Sequence, residues 1–325
     1  MATVPRTPVM SDGAASVPNA LLTARNARLA VDGVTSIDGL TLCSFGDRVV
    51  VVGDATALMG ALTCVPLGAR PRRDGSGEPE EAIGEVYVAG GALEVAGANV
   101  AEKSHLRLAG VAPLDPPLPS GYTPVEYVAC GARLGGANRR GARDLAERVL
   151  ADVGMHLAKG RALSSLAKPE RRALVLAQAI VGSPAVLIAE APLSALEGAA
   201  ADFVRCALEV ASRGRRLLAS VKCLSPSASE ADLARTASYA AVLRGGQLVL
   251  EGAPSDVLLS NRAYTVTVPV NADLFRTALA SVGADIRGGP TRFGVLLPRA
   301  LSPIDILRAA SSARAPILEL VALVG

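Results

Sequence analysis

Three residues of distinct chemistry stand where short apolar runs end: Gly53 after Arg48–Val52, Glu190 after Val186–Ala189, and Lys222 just past Leu217–Ser220. A carboxylate closing a buried strand can hold a cation, or it can be a capped or paired strand-end group. A lysine in such a place can contact a phosphate or stay solvated. In Gly53–Leu62 a glycine separates a buried strand from an Ala-rich stretch, a place where backbone N–H groups can converge on an anion. Taken alone, the same stretch reads equally well as a strand turning into an ordinary helix. Metal chemistry through nitrogen and sulfur is not expected. His105 and His156 are the only histidines, and neither lies near a cysteine cluster. Cys43, Cys64, Cys130, Cys206 and Cys223 are scattered singly, which suits a reducing cytoplasm and no disulfide framework.

The elements that must position these residues follow from periodicity. Leu21–Val31 predicts an opening strand or hairpin, and Arg48–Val52 a strand covered on both faces. Pro71–Glu81 reads as a surface loop, followed by a short strand at Glu85–Val88. Leu145, Val149 and Val153 mark one face of a helix that stops at Gly154, and Glu170–Val181 is a second helix with Leu174, Ala177 and Val181 inward. Strand Val186–Ala189, a helix at Gly198–Ser212, and strands at Leu217–Ser220, Ala241–Leu243 and Gln247–Leu250 come next. Such alternation implies a mostly parallel sheet with helices on both faces. From Tyr264 the pattern changes to a βαβαβ module of about 60 residues. It comprises strand Tyr264–Val270, a helix marked by Leu274, Ala278 and Val282, and strand Phe293–Leu297. A helix capped by Ser302 with Pro303 and Asp305, then strand Ile317–Leu323, complete it.

Composition excludes several classes. Half of the 325 residues are apolar, yet only 3% are aromatic and Trp is absent, so the core is aliphatic and rings for stacking on bases are scarce. A net charge of +3 with both signs interspersed argues against a nucleic-acid partner, although Arg139, Arg140 and Arg143 form a small basic patch. Met1–Ala20 reads as a flexible segment without the apolar run of a signal peptide. Leu174–Leu193 is broken by Gly182, Pro184, Glu190 and Pro192, so it is not a membrane span.

Pro184–Glu197, Pro-Ala-Val-Leu-Ile-Ala-Glu-Ala-Pro-Leu-Ser-Ala-Leu-Glu, resembles the Walker B and D-loop run of ABC-transporter ATP-binding domains, P-x-x-L-I-L-D-E-P-T-S-G-L-D. Neighbouring segments fit the family order. Gly53–Leu62 stands where the family has G-P-N-G-A-G-K-S-T-L, and Gly110–Asp115 resembles the Q-loop run G-x-x-P-Q-D. Leu166–Arg172 resembles the signature, and Leu176–Ile180 the A-Q-A-L helix after it. Arg213–Ser220 looks like the strand before the switch histidine, and Val242–Gly252 like the last hairpin. The resemblance spans residues 21–260 and implies an α/β, P-loop NTPase-like sheet sandwiched by helices, followed at residues 264–325 by a small α+β domain. That tail is similar to the C-terminal extension of multidrug-type ABC exporter ATPase subunits.

The resemblance also assigns roles that this chain departs from. The ATP and Mg²⁺ positions correspond to Gly53, Thr56, Met59, Gly60, Ala61, Leu114 and Glu190. Met59 replaces the phosphate-neutralising lysine, Gly60 the Mg²⁺-ligating hydroxyl, and Leu114 the Q-loop glutamine, while Leu58 adds bulk where a glycine admits phosphate. Glu190 keeps a carboxylate in place of the Walker B aspartate. Ala191 stands for the glutamate that orients water, and Lys222 for the switch histidine. Val31 and Asp32 occupy the place of the adenine-stacking tyrosine. In the signature, at Ala167, Lys168, Pro169 and Glu170, the serine is lost and a proline removes one N–H. Phosphoryl transfer rests on positioning and electrostatics, so the expectation is lost hydrolysis, no catalytic residue and no cofactor, with ATP and Mg²⁺ the cofactors if the family function is retained. The expected role is a cytoplasmic pseudo-ATPase subunit, peripheral on the inner face of the membrane. It would dock a permease and form a dimer, with a competent ABC ATPase as the candidate mate. A soluble regulatory or scaffold protein that reuses the fold is the alternative. A slow ATPase using Glu190 and Lys222 is the enzymatic one.

Overall fold

The computed structural model describes residues 20–64, 84–222, 229–259, 263–298 and 301–322. The expected flexible start and the Pro71–Glu81 loop lie outside the described residues.

The chain opens with a long hairpin, β1 (Leu22–Val31) and β2 (Val34–Cys43), then strand β3 (Arg48–Gly53) and helix α1 (Thr56–Thr63). Strands β4 (Val86–Val95), β5 (Ala98–Asn99) and β6 (Ala109–Ala112) follow. Helices α2 (Pro124–Leu134), α3 (Arg139–Asp152) and α4 (Lys168–Ile180) lead to β7 (Val186–Ala189). Then come α5 (Gly198–Ser212), β8 (Arg216–Val221), α6 (Ser229–Arg235), β9 (Tyr239–Arg244), β10 (Gln247–Gly252) and α7 (Pro254–Leu259).

Among the described residues a six-stranded sheet has the order β10-β9-β3-β8-β7-β6, parallel except for β10. Side chains alternate between two cores, as a period of two requires. Val49 and Val51 of β3 face one core, and Val50 and Val52 the other. β7 divides the same way, with Val186 and Ile188 opposite Leu187 and Ala189. Burial on both faces is why these runs carry no polar residue. Helices α2–α5 cover one face. The other is shared by α1 and an antiparallel sheet of order β2-β1-β4-β5. The expected α/β sandwich therefore holds, with a second sheet completing the layer over α1.

Several boundaries differ from expectation. The short strand expected at Glu85–Val88 runs to Val95, past Gly90 and Gly91, because Gly91 at φ +68° absorbs a register shift against β1. On α3 the deepest residues are Ala142, Ala146 and Leu150, while Leu145 and Val149 are half-buried. Helix α2 was not anticipated. Its sequence signal is a complete capping box, in which Thr123 Oγ1 accepts the Glu126 N–H at 3.3 Å and Glu126 Oε2 accepts the Thr123 N–H at 2.9 Å.

The C-terminal part has its own core. It comprises β11 (Ala263–Thr267), α8 (Ala272–Ser281), β12 (Asp285–Gly288), β13 (Arg292–Leu296), α9 (Pro303–Ser312) and β14 (Glu319–Ala322). The order β12-β13-β11-β14 is antiparallel throughout, giving βαββαβ instead of the expected βαβαβ. The added strand is short, and its Asp285 and Arg287 hid it among polar residues. The marker residues of α8 also need correction. Phe275 and Leu279 are buried, whereas Leu274 and Val282 are exposed. Ser302 is the N-cap of α9 as expected, with Asp305 in the first turn accepting the Ser302 N–H on Oδ2 at 2.8 Å.

Candidate functional site

The strand-to-helix turn after β3 is closed. Gly53 lies at φ +93°, and a Cβ built there would sit 2.3 Å from the Leu243 carbonyl oxygen of β9. Its glycine is required by the approach of the neighbouring strand. The Asp54 N–H donates to Leu243 O at 3.1 Å, Ala55 N–H to Gly53 O at 2.9 Å, and Met59 N–H to Ala55 O at 2.8 Å. Helix α1 begins at once, at Thr56, so only its ordinary first-turn amides are left over. Met59, Gly60 and Ala61 are buried with Leu58, and Thr56 is exposed. Leu58 therefore does not obstruct the turn, as its position suggested. Like Met59 it packs between α1 and the sheets. The only charged residue from Gly53 to Cys64 is the exposed, acidic Asp54.

A polar cluster gathers at the carboxyl ends of β6 and β7. Glu190 Oε2 accepts the Leu114 N–H at 2.9 Å, and the Glu190 N–H donates to Ala112 O at 2.9 Å. Burial pushes the Glu190 carboxyl above the ordinary carboxylate range. The Leu114 amide pulls it back, as do the charges of Arg172 and Lys222. Ala191, at φ +38°, donates its N–H to Ser220 Oγ at 2.9 Å. Lys222 is exposed, and its N–H donates to Glu230 Oε2 at 3.2 Å. Between β3 and β7 lies β8, so the α1 turn and Glu190 are two strand spacings apart, about 10 Å.

Sequence reasoning missed the group that organises this cluster. Arg172, 4% exposed, donates from Nε and Nη2 to Asp115 at 2.7 and 3.0 Å, and from Nη1 to Ala191 O at 2.9 Å. One guanidinium thus ties α4 to the segments after β6 and β7. The signal was an arginine on the apolar face of a helix, where only a paired one is tolerated.

The positions that resemble the signature form the start of α4. Ala167 is the N-cap, and Lys168 and Pro169 are the first two helical residues. Glu170 Oε2 accepts the Ala167 N–H at 2.8 Å, while Oε1 accepts from Arg161 Nη1 at 2.7 Å. The Glu170 carboxylate thus places a negative charge at the N-terminus of α4.

A parallel sheet with its polar groups at the carboxyl ends of the strands defines a P-loop NTPase-like α/β fold. No protein-family model matches the chain. Solved structures do match. An ATP-binding subunit of an ABC transporter superposes with a TM-score of 0.54 at 16% identity, covering 73% of this chain and 91% of that one. A nucleotide-free ATP-binding cassette from an ABC transporter gives 0.54 at 14% identity, covering 74% and 95%. The ADP conformation of an ATP-binding cassette gives 0.53 at 13%, covering 74% and 94%. The chain has the fold of an ABC-transporter ATP-binding cassette. Among the described residues no helix is long and apolar enough to cross a membrane.

Proposed function

We propose that the chain is a pseudo-ATPase subunit of an ABC-type export assembly, keeping the cassette fold without binding or hydrolysing ATP. The observation that carries this reading is the closed turn after β3. A triphosphate needs converging amides and a cation beside them. Here the amides of Asp54 and Ala55 are bonded within the chain, and the first-turn amides of α1 that remain have no cation beside them: Met59 is core, and the only local charge is Asp54.

The remaining positions do not fit Mg²⁺ with a triphosphate either. A hard cation wants several oxygen ligands, and Leu114, Ala191 and Gly60 offer no side-chain oxygen. Glu190 already serves the Leu114 amide, and the Lys222 N–H donates to Glu230. No hydrolytic step is derived from these residues. The signature helix, with its own glutamate at the first turn, supports the same reading for the opposite half of a dimer. On this reading residues 21–260 form the cassette and 264–325 an accessory domain with a separate core. A membrane permease and a competent ABC ATPase are the partners, the latter supplying hydrolysis, and the subunit is peripheral on the cytoplasmic face.

Isothermal titration with Mg-ATP tests the central statement. The expected result is no saturable heat, and saturable binding at micromolar nucleotide overturns it. Affinity capture from membranes should recover a permease. Recovery of soluble partners alone supports the regulatory-scaffold role instead.

A further inference from the structure

We propose that the corner between α2 and α3 is a contact site for the headgroups of anionic lipids at a membrane surface. This goes beyond the pseudo-ATPase reading and does not depend on how the nucleotide site behaves.

The corner concentrates uncompensated positive charge. No acidic residue occurs between Glu126 and Asp144, a stretch that carries Arg133, Arg139, Arg140 and Arg143. Arg143 is paired with Glu147 at 3.2 Å. Among the described residues the guanidiniums of Arg133, Arg139 and Arg140 have no hydrogen bond or ion pair, and all three residues are exposed. Arg139 and Arg140 open α3, where the peptide dipoles already present a positive end. Like charge placed there is unfavourable within the chain itself, and an anion between the guanidiniums relieves it. A hollow of about 500 Å³ lies at this point, lined by Cys130, Arg133, Leu134, Ala137, Asn138 and Arg139. Its size suits a phosphate-bearing headgroup.

Apolar material selects the kind of anion. Leu134 ends α2 with 86% of its surface exposed, ahead of the Gly135-Gly136 turn. One projecting aliphatic side chain that shares the hollow with Arg133 and Arg139 matches the boundary between headgroups and acyl chains. A nucleic acid would want rings to stack on, and the hollow has none. An acidic peptide would want an apolar groove for its anchors, whereas Leu134 stands out from the surface.

Co-sedimentation of the full chain with vesicles tests this. Vesicles of phosphatidylcholine with 30% phosphatidylglycerol are compared with pure phosphatidylcholine at low ionic strength. Binding should need the anionic lipid and weaken as salt is raised. Arg133→Glu with Arg139→Glu should lower the partition coefficient by about tenfold or more. Arg213→Glu with Arg314→Glu, the same change in net charge elsewhere on the exposed surface, should lower it far less. Leu134→Asn should weaken binding with the charge unchanged, and thermal melting checks that each variant is folded. Equal binding to neutral vesicles overturns the proposal, as does equal loss in both charge-reversal pairs. Release by millimolar inorganic phosphate at constant ionic strength would assign the hollow to a free anion instead. Saturable binding of polyglutamate without a preference for anionic vesicles would assign the corner to an acidic protein.

Discussion

Glu190 closes β7 in a setting that disfavours its charge, because burial outweighs the Leu114 amide and the cations near it. A carboxyl with a raised value in the fold favours the protonated form there more than the unfolded chain does. Its contribution to stability is full below the ordinary carboxylate range and is lost as pH rises through the raised value. Glu190→Gln, which keeps an oxygen for the Leu114 N–H, should therefore melt higher than the parent at pH 8. The gap should shrink as pH falls through the raised value toward the ordinary carboxylate range. Thermal melts across that range check it, and a variant less stable at pH 8 contradicts the assignment. Glu190 was legible in the sequence as a charged residue ending an apolar run. Its partner was not, because Leu114 lies 76 positions away and meets it only when β6 pairs with β7. Arg172 escaped notice for the same reason, since its fork is satisfied by groups on two separate segments.

Met59 of α1 is fully buried between the sheets, so a lysine at this position is not a local change. Met59→Lys places an ammonium in an aliphatic core and should cost about 2–4 kcal/mol. It should leave the heat of mixing with Mg-ATP flat. Urea unfolding and calorimetry read the two outcomes, and a stable variant that gains nucleotide binding would contradict this account. Buried strands were legible because apolar runs without alternation admit few other readings, and β7 and α5 fall where periodicity put them. α8 was harder. Leu274, Ala278 and Val282 recur at helical spacing, but so do Phe275 and Leu279, and hydrophobicity alone does not choose the inner face.

At the scale of the whole molecule, the core around Phe275 and Phe293 shares no residue with the two that flank the parallel sheet. Arg244 Nη1 donating to Ala322 O is one link between the parts. Calorimetry should resolve two transitions. Phe275→Ala should lower one of them, at a cost of about 3–5 kcal/mol, and leave the other in place. Leu274→Ala, on the exposed face, should move neither, and a single transition shifted by Phe275→Ala would refute the division. The parallel sheet was legible as a fold because strand, helix and turn signals agree along it. The candidate site was legible only in part, since Glu190, Leu114, Arg172 and Asp115 meet through contacts across the sheet. One further contact bears on what could approach the chain. Glu170 places a negative charge at the start of α4 from within the chain. An anion approaching that helix from outside would meet a like charge there instead of an open positive end, whatever molecule carries it.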